Sequence, residues 1–543
     1  MDDGCDLRTD LDQPETPGTA ELATSEAGGQ DRTGRRKLVM IRENPSNAPG
    51  LPRRFLMVAA FVALAFLAKF ATYGILVTPL WDIPDEPGHY DYAENLSRGQ
   101  WPVLGQAHFS EETMRSWRGD GVRPGRNWIA QHPPLFYAID APVIAMARMA
   151  GLGYEGRVRA ARLPSAIFGA LTILGLTLLL ARTTGNPAAA LGASILFGAT
   201  PMFTHLAGGV THDTLVACTA TWGAYWCTRW LQSGAYRYLL YSAAMMGLCS
   251  LAKVTALAMA VPFFFAVAWQ LWKSADPSGR FRHWVPAIAI VWLLMFAPIA
   301  SWMVRNLFLF GQILPDASML SSRERVVIDY FALMREHPFW EHTMLNFVAL
   351  LGWNGGGEGK LAWIQANGWT ARYFLGVIGV AAAIAIIAPL RDRLSRPNWW
   401  PYPVLAVVAI VAGTVYATQP LPHLARWTAE ALLAAMLATL AYNARGTFRA
   451  IPGQWLLFTS AFCVVVFAMI YYHHLWGSYI GTMRATHGRY FYPVVPFLLV
   501  VCASAFRGRT MGALLLAASI GALIACDAFY LRQILPLYGH LST

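Results

Sequence analysis

Residues 53–90 read RRFLMVAAFVALAFLAKFATYGILVTPLWDIPDEPGHY, and this stretch decides the fold class. A pair of arginines opens a predominantly apolar run long enough, at about 1.5 Å per helical residue, to cross a hydrocarbon core of about 30 Å. The run then breaks abruptly into an acidic, proline-bearing segment. The same alternation recurs along the 543 residues: apolar runs of about twenty residues are separated by short arginine-containing breaks. The composition agrees, with 56% apolar and 13% charged residues, where a soluble domain averages about a quarter charged. A soluble enzyme, a disordered chain and a secreted disulfide scaffold are excluded. The sequence specifies an all-α polytopic membrane protein.

We place spans near residues 55–80, 160–181, 187–205, 213–231, 237–252, 255–272, 284–304, 372–390, 401–418, 424–442, 454–472, 490–506 and 510–530, about thirteen in all. Residues 1–54 form an acidic, aromatic-poor tail that ends in a basic cluster from Arg32 to Arg54, and we expect it to be disordered and cytoplasmic. No apolar core follows a short basic start near Met1, so the first span is expected to serve as an uncleaved anchor. The net charge of +11 then reads as a topology signal rather than a nucleic-acid footprint. With the tail inside, every inner turn carries a cation: Arg182, Arg229 and Arg237, Lys273 to Arg282, Arg391 to Arg396, Arg445 and Arg449, and Arg507 and Arg509. The seven cysteines form no C-x-x-C pair and read as small core residues.

The resulting organisation is a tail, 1–54, and a transmembrane module, 55–305, with a long outer loop at 82–159. A second outer loop, 306–371, and C-terminal helices, 372–543, follow. Loops of this length carry function or local structure. Within the first, Pro133 to Ala150 is apolar but contains Asp140 and Arg148, and we expect a helix lying at the interface. Of the thirteen histidines only His283 falls on an inner turn, which leaves the outer side rich in polar aromatics.

Asp82, Asp85 and Glu86 place three carboxylates just beyond the first span, a costly arrangement unless they are solvated or employed. Pro87 suits a first helical turn, with Asp85 or Glu86 accepting hydrogen bonds at its start and the helix running to about Arg98 and Gly99. An acid held ionised at a helix start can act as a general base, or simply as an N-cap. The cations at outer span ends are Arg162, Lys253, Arg305 and Arg489, each a candidate phosphate contact or an interfacial anchor. His132, before Pro133-Pro134, is a substrate contact or a loop cap. The glycine-rich segment Trp353 to Glu358 is a lid or an ordinary flexible turn, and it lacks the context of a phosphate-binding loop.

The segment PDEPGHYDYAENLSRGQWPVL at 84–104 resembles the first-loop signature of the GT-C glycosyltransferases, multi-span enzymes that take sugar from a polyprenyl-phosphate carrier. The likeness extends to aminoarabinose transferases, protein O-mannosyltransferases and, most closely, a bacterial group with a Pro-Asp-Glu-Pro-x-His start. Further matches follow in order: QHPPLFY at 131–137, ARLPSAIFGAL at 161–171, THD at 211–213, LAKVTAL at 251–257, WMVRN at 302–306 and GRYFYPVVPF at 488–497. The resemblance implies a GT-C-like fold whose outer first loop carries interfacial helices. It puts the catalytic base at Asp85, with Glu86 beside it, and a second outer acid at Asp213 serving as metal ligand, acceptor contact or helix cap. Aminoarabinose transferases carry an arginine near the place of Gly88 or His89.

On this reading the substrate contacts are His89, Tyr90, His132, Arg162, Asp213, Lys253, Arg305, His487 and Arg489. Phosphate is a good leaving group, so one base and a set of cations suffice for an inverting transfer, with no acid partner required. The expected activity is hexosyl or pentosyl transfer from a polyprenyl-phosphate sugar to a glycolipid, polysaccharide or protein acceptor. It would occur at the periplasmic face of a bacterial inner membrane, with a divalent metal possible near Asp85, Glu86 and Asp213 but not required. The alternatives are a polymerase or ligase of lipid-linked glycans, centred on His473, His474, Arg484, His487 and Arg489, and a lipid or sugar transporter, which would predict internal repeats.

Overall fold

The first apolar run folds as helix α1 (Arg53–Thr72), continued by a π-turn at Tyr73–Val77. One stripe of α1, Phe55, Ala59, Ala63, Phe66 and Phe70, is buried at helical spacing. Its other face leaves Met57, Phe61 and Leu64 exposed, an apolar outer surface that water would penalise and lipid would not. In this computed structural model the described residues are 50–116, 125–274, 280–315, 347–348, 461, 488–506 and 508–536.

The long first loop is a layer of short helices: α2 (Glu86–Ser97), α3 (Glu111–Ser116), α4 (Leu135–Met149) and α5 (Tyr154–Ala161). At 15 residues, α4 is too short to cross a bilayer. It buries Phe136, Tyr137 and Ile144 in a core shared with Trp81, Tyr90 and Tyr92 of the preceding segment. After the loop the helices continue as α6 (Leu163–Thr184), α7 (Pro187–Gly198), α8 (Pro201–Ala207), α9 (Asp213–Ser233), α10 (Tyr236–Ala252), α11 (Ala260–Ser274), α12 (Arg280–Phe310), α13 (Val495–Ala505) and α14 (Arg509–Phe529).

Local chemistry sets the ends. Helix α6 stops at Gly185, whose φ of 64° lies in the left-handed region. Asn186 then accepts a hydrogen bond from the Ala189 N–H to start α7, and its amide donates to the carbonyls of Phe506 and Gly508, joining two helix connections. Helices α7 and α8 meet at a 71° bend. Helix α9 is the interior element, packed against α6 and α10, with Thr214, Thr219, Thr221 and Thr228 buried.

Among the described residues, four segments are long and apolar enough to span a membrane: Arg53–Val77, Tyr154–Thr184, Ile288–Phe310 and Arg509–Arg532. The bent α7–α8 pair is a fifth if counted as one span. Apart from Ala461, the expected spans between residues 372 and 472 lie outside the described residues, as do the glycine-rich Trp353–Glu358 segment and His487. The chain is an all-α integral membrane protein, and the only β pairing among the described residues is an isolated bridge between His108 and Arg126.

Candidate active site

Asp85 and Glu86 are neighbours with opposite directions. Asp85 adopts a left-handed backbone, φ 63°, immediately before α2, a conformation that disfavours residues with a Cβ and recurs at functional sites. Its side chain does not cap the helix, contrary to the N-cap alternative. The carboxylate instead accepts from Arg489 Nη2 at 2.8 Å and Trp128 Nε1 at 3.3 Å, and remains 19% exposed.

Glu86 is fully buried and has no lone pair to spare. Arg162 Nε and Nη2 donate to its two oxygens at 2.7 and 2.8 Å, and the backbone N–H groups of Val210 and Trp81 complete the set at 3.0 and 3.1 Å. Arg162 spends its remaining N–H groups on the carbonyls of Gly74, Thr78 and Pro79. All five guanidinium donors are therefore used, and none is left for a phosphate. The pair ties the end of the first span, the start of α2, the start of α6 and the α8–α9 connection into one knot. This geometry departs from the expectation of Glu86 as a second catalytic acid and Arg162 as a substrate contact.

Across from Asp85 lies a ladder of alternating charge. Arg489 comes from the 3₁₀ turn Gly488–Val494, and Lys253 from the break after α10. Lys253 Nζ donates to Asp213 Oδ1 at 2.6 Å, and Arg489 Nε lies 3.5 Å from Asp213 Oδ2. Lys253 also sits 4.6 Å from the centre of the Tyr490 ring. The order Asp85–Arg489–Asp213–Lys253 thus joins residues from four distant parts of the chain. Within it, Arg489 Nε and Nη1 and the Tyr492 hydroxyl are buried without a hydrogen-bond partner among the described residues. Buried donors left open on a cation point to an anion that belongs there.

A histidine cluster borders the ladder. Tyr137 Oη lies 2.8 Å from His89 Nδ1 and 3.0 Å from His212 Nδ1, and His212 Nε2 is 3.5 Å from Asp213 Oδ1. His132 packs against both rings, 6.5 Å from His89 and 4.5 Å from His212 between centroids. Burial disfavours the charged imidazolium: it pushes His89 down to about 4 and His132 and His212 well below the ordinary histidine range. For His89, Asp85 and Asp213 oppose that shift, while Arg489 and Lys253 reinforce it.

Other expected contacts lie elsewhere. Tyr90 donates to Glu94 at 3.3 Å and packs among Trp81 and Tyr154, inside the loop core. Arg305 stacks on Trp302 and donates to the Pro102 carbonyl at 3.1 Å, clasping the loop. Trp128, Tyr137 and His212 were not singled out from the sequence. Tyr137 closes the QHPPLFY segment and His212 precedes Asp213 directly, so their signals were present but unweighted. Among the described residues no three His, Cys, Asp or Glu side chains converge as a ligand set. Asp85, Glu86 and Asp213 are instead engaged by Arg489, Arg162 and Lys253.

Residues 131–302 match the sequence family described as dolichyl-phosphate-mannose-protein mannosyltransferase. No curated protein matches the chain. Similar solved structures include the S. cerevisiae protein O-mannosyltransferase Pmt1-Pmt2 complex bound to the sugar donor, at 17% identity over 50% of this chain and 35% of that one, TM-score 0.34. ArnT from Cupriavidus metallidurans bound to undecaprenyl phosphate matches at 17% identity over 87% of this chain and 78% of its own, TM-score 0.32. The archaeal oligosaccharyltransferase AglB from Archaeoglobus fulgidus matches at 16% identity over 88% of this chain and 56% of its own, TM-score 0.43. The chain therefore spans about a third of the first of these proteins. The matched family segment runs through His132, Tyr137, Arg162, Asp213 and Lys253, which places much of the site within the stretch that is similar to that family.

Proposed function

We propose that this protein is an inverting glycosyltransferase that moves a sugar from a polyprenyl-phosphate carrier to a hydroxyl-bearing cell-envelope acceptor at the outer face of a bacterial cytoplasmic membrane, with Asp85 as the general base. The observation that carries the reading is Arg489. It holds the partly exposed Asp85 carboxylate at 2.8 Å while its Nε and Nη1, both buried, make no hydrogen bond among the described residues. A cation in that position can hold the base with one edge and a phosphate with the other.

The step follows from these groups. The acceptor oxygen attacks the anomeric carbon as its proton passes to an Asp85 carboxylate oxygen. The bond between the anomeric carbon and the phosphate oxygen breaks, and its electron pair stays on the phosphate. Attack from the face opposite the phosphate inverts the anomeric centre. Arg489 Nε and Nη1, the Tyr492 hydroxyl and Lys253 supply positive charge or donors where the negative charge grows. Asp213 keeps Lys253 and Arg489 in place; without it the two cations would repel one another in a dry site. Glu86 and Arg162 act as the knot that fixes the first loop against α6.

The test is transfer from a radiolabelled polyprenyl-phosphate sugar by purified protein in which Asp85→Asn retains the wild-type unfolding temperature. Loss of about 10²–10⁴-fold in rate is expected, and undiminished transfer would remove Asp85 as the base.

A further inference from the structure

His89 has a role that its position beside the base does not by itself reveal. Its Nδ1 and the Nδ1 of His212 both contact the same Tyr137 oxygen, at 2.8 and 3.0 Å. A phenol carries one proton, so it donates to one imidazole and accepts from the other. Which is which is decided at the far end of the chain. His212 Nε2 lies 3.5 Å from an oxygen of Asp213, and a bare nitrogen lone pair facing a carboxylate would be repelled, so the proton of His212 sits on Nε2. His212 Nδ1 is then the acceptor, Tyr137 donates to it, and His89 Nδ1–H donates to Tyr137. His89 Nε2 is left as a bare lone pair on the opposite edge of the ring, with no hydrogen-bond partner among the described residues.

The residue is only 2% exposed, so little water reaches that lone pair, and a ligand hydroxyl in its place would supply the donor. Asp85 immediately precedes α2, and His89 lies in its first turn, four residues on. The His89 ring lies 4.6 Å from that of His212, whose neighbour Asp213 holds Lys253. A sugar attached to a phosphate at Arg489 and Lys253 extends into this region. The geometry assigns His89 as a sugar-reading residue: Asp213, His212 and Tyr137 fix its tautomer, and its Nε2 accepts a hydrogen bond from a hydroxyl of the donor sugar. This rests on the polyprenyl-phosphate reading of the site and adds the group that distinguishes a carrier bearing sugar from one without it.

The experiment compares binding of two probes, polyprenyl-phosphate mannose and sugar-free polyprenyl phosphate, to the full-length protein in lipid nanodiscs. His89→Phe keeps a ring of similar outline and removes the acceptor. It is expected to weaken the mannose-bearing probe about 5- to 10-fold, the scale of one hydrogen bond lost in a buried site, and to leave the sugar-free probe unchanged. His89→Gln restores an acceptor and is expected to recover most of that loss. Sugar-free binding also reports that each variant is folded. Equal weakening of both probes, or His89→Gln no better than His89→Phe, overturns the assignment while leaving the carrier reading intact. Failure of the wild type to bind either probe overturns both. Nitrogen NMR of histidine-labelled protein gives a readout independent of ligand: His89 protonated on Nδ1 and His212 on Nε2 are expected, and the reverse pattern overturns the chain of hydrogen bonds.

Discussion

Two adjacent acids with nearly the same local sequence have different physical fates, and the difference lies in solvation. Asp85 keeps 19% of its side chain exposed and shares one cation; Glu86 is sealed with four hydrogen bonds. Their amide variants should separate accordingly. Asp85→Asn leaves Arg489 with Asp213 as its counter-charge, so the unfolding temperature should move little while transfer collapses. Glu86→Gln leaves a fully buried Arg162 short of its anion, a loss of about 3–5 kcal/mol, visible as poor yield and early unfolding in detergent. The imidazoles predict a pH dependence. His89 is held at about 4 when folded and returns to about 6.5 when unfolded, so the unfolded state takes up the extra proton between those values. Stability is therefore complete above pH 6.5 and falls as pH drops toward 4, by about 3 kcal/mol from His89 alone. Thermal unfolding from pH 7 to pH 4 measures it, and His89→Gln should flatten the slope.

At the scale of elements, the first loop works because α2 approaches its neighbour closely. A Cβ on Gly88 would stand 2.6 Å from Ile129 Cγ1 and 2.9 Å from Asn127 Oδ1, inside the contact limit of both. Asn127 in turn donates to the Gly88 carbonyl at 2.9 Å and accepts from the Ile129 N–H at 2.9 Å, which seats Trp128 against Asp85. Gly88→Ala should push this connection away, costing about 1–3 kcal/mol in stability and weakening transfer through a displaced Trp128. Equal melting temperatures for variant and wild type would show that the contact yields freely. The helix from Glu86 to Ser97 was legible in its acidic start, Pro87 and terminal Gly99, because those signals are local. That Arg162 and Arg489 have different partners was not legible. Both are arginines at the mouth of an apolar run, and what separates them is a partner 76 residues away for one and 404 for the other. Local sequence carries no information about contacts at that range.

For the whole molecule, the apolar runs gave away the helical membrane architecture because lipid demands the same composition from any spanning helix. How the spans pack depends on a few polar contacts within them. Lys69 of α1 and Asp527 of α14 meet at 2.8 Å, and the Tyr73 hydroxyl donates to the same carboxylate at 2.9 Å, so the first described span is clasped to the last. The two π-turns, Tyr73–Val77 and Tyr530–Ile534, face each other beside this contact, with Tyr73 and Tyr530 rings 5.4 Å apart. Ions set in an apolar surface are poor stabilisers as a pair yet costly to orphan, because desolvation offsets most of their attraction. Lys69→Met alone should lower stability in detergent by about 1–3 kcal/mol, and Asp527→Leu alone by a similar amount, since each strands one charge. The double variant should return to within about 1 kcal/mol of wild type or exceed it, and should keep the Asp85–Arg489 site active. If the two losses simply add, the pair contributes through its separate neighbours rather than as a clasp, and the first and last spans are held together by their apolar faces alone.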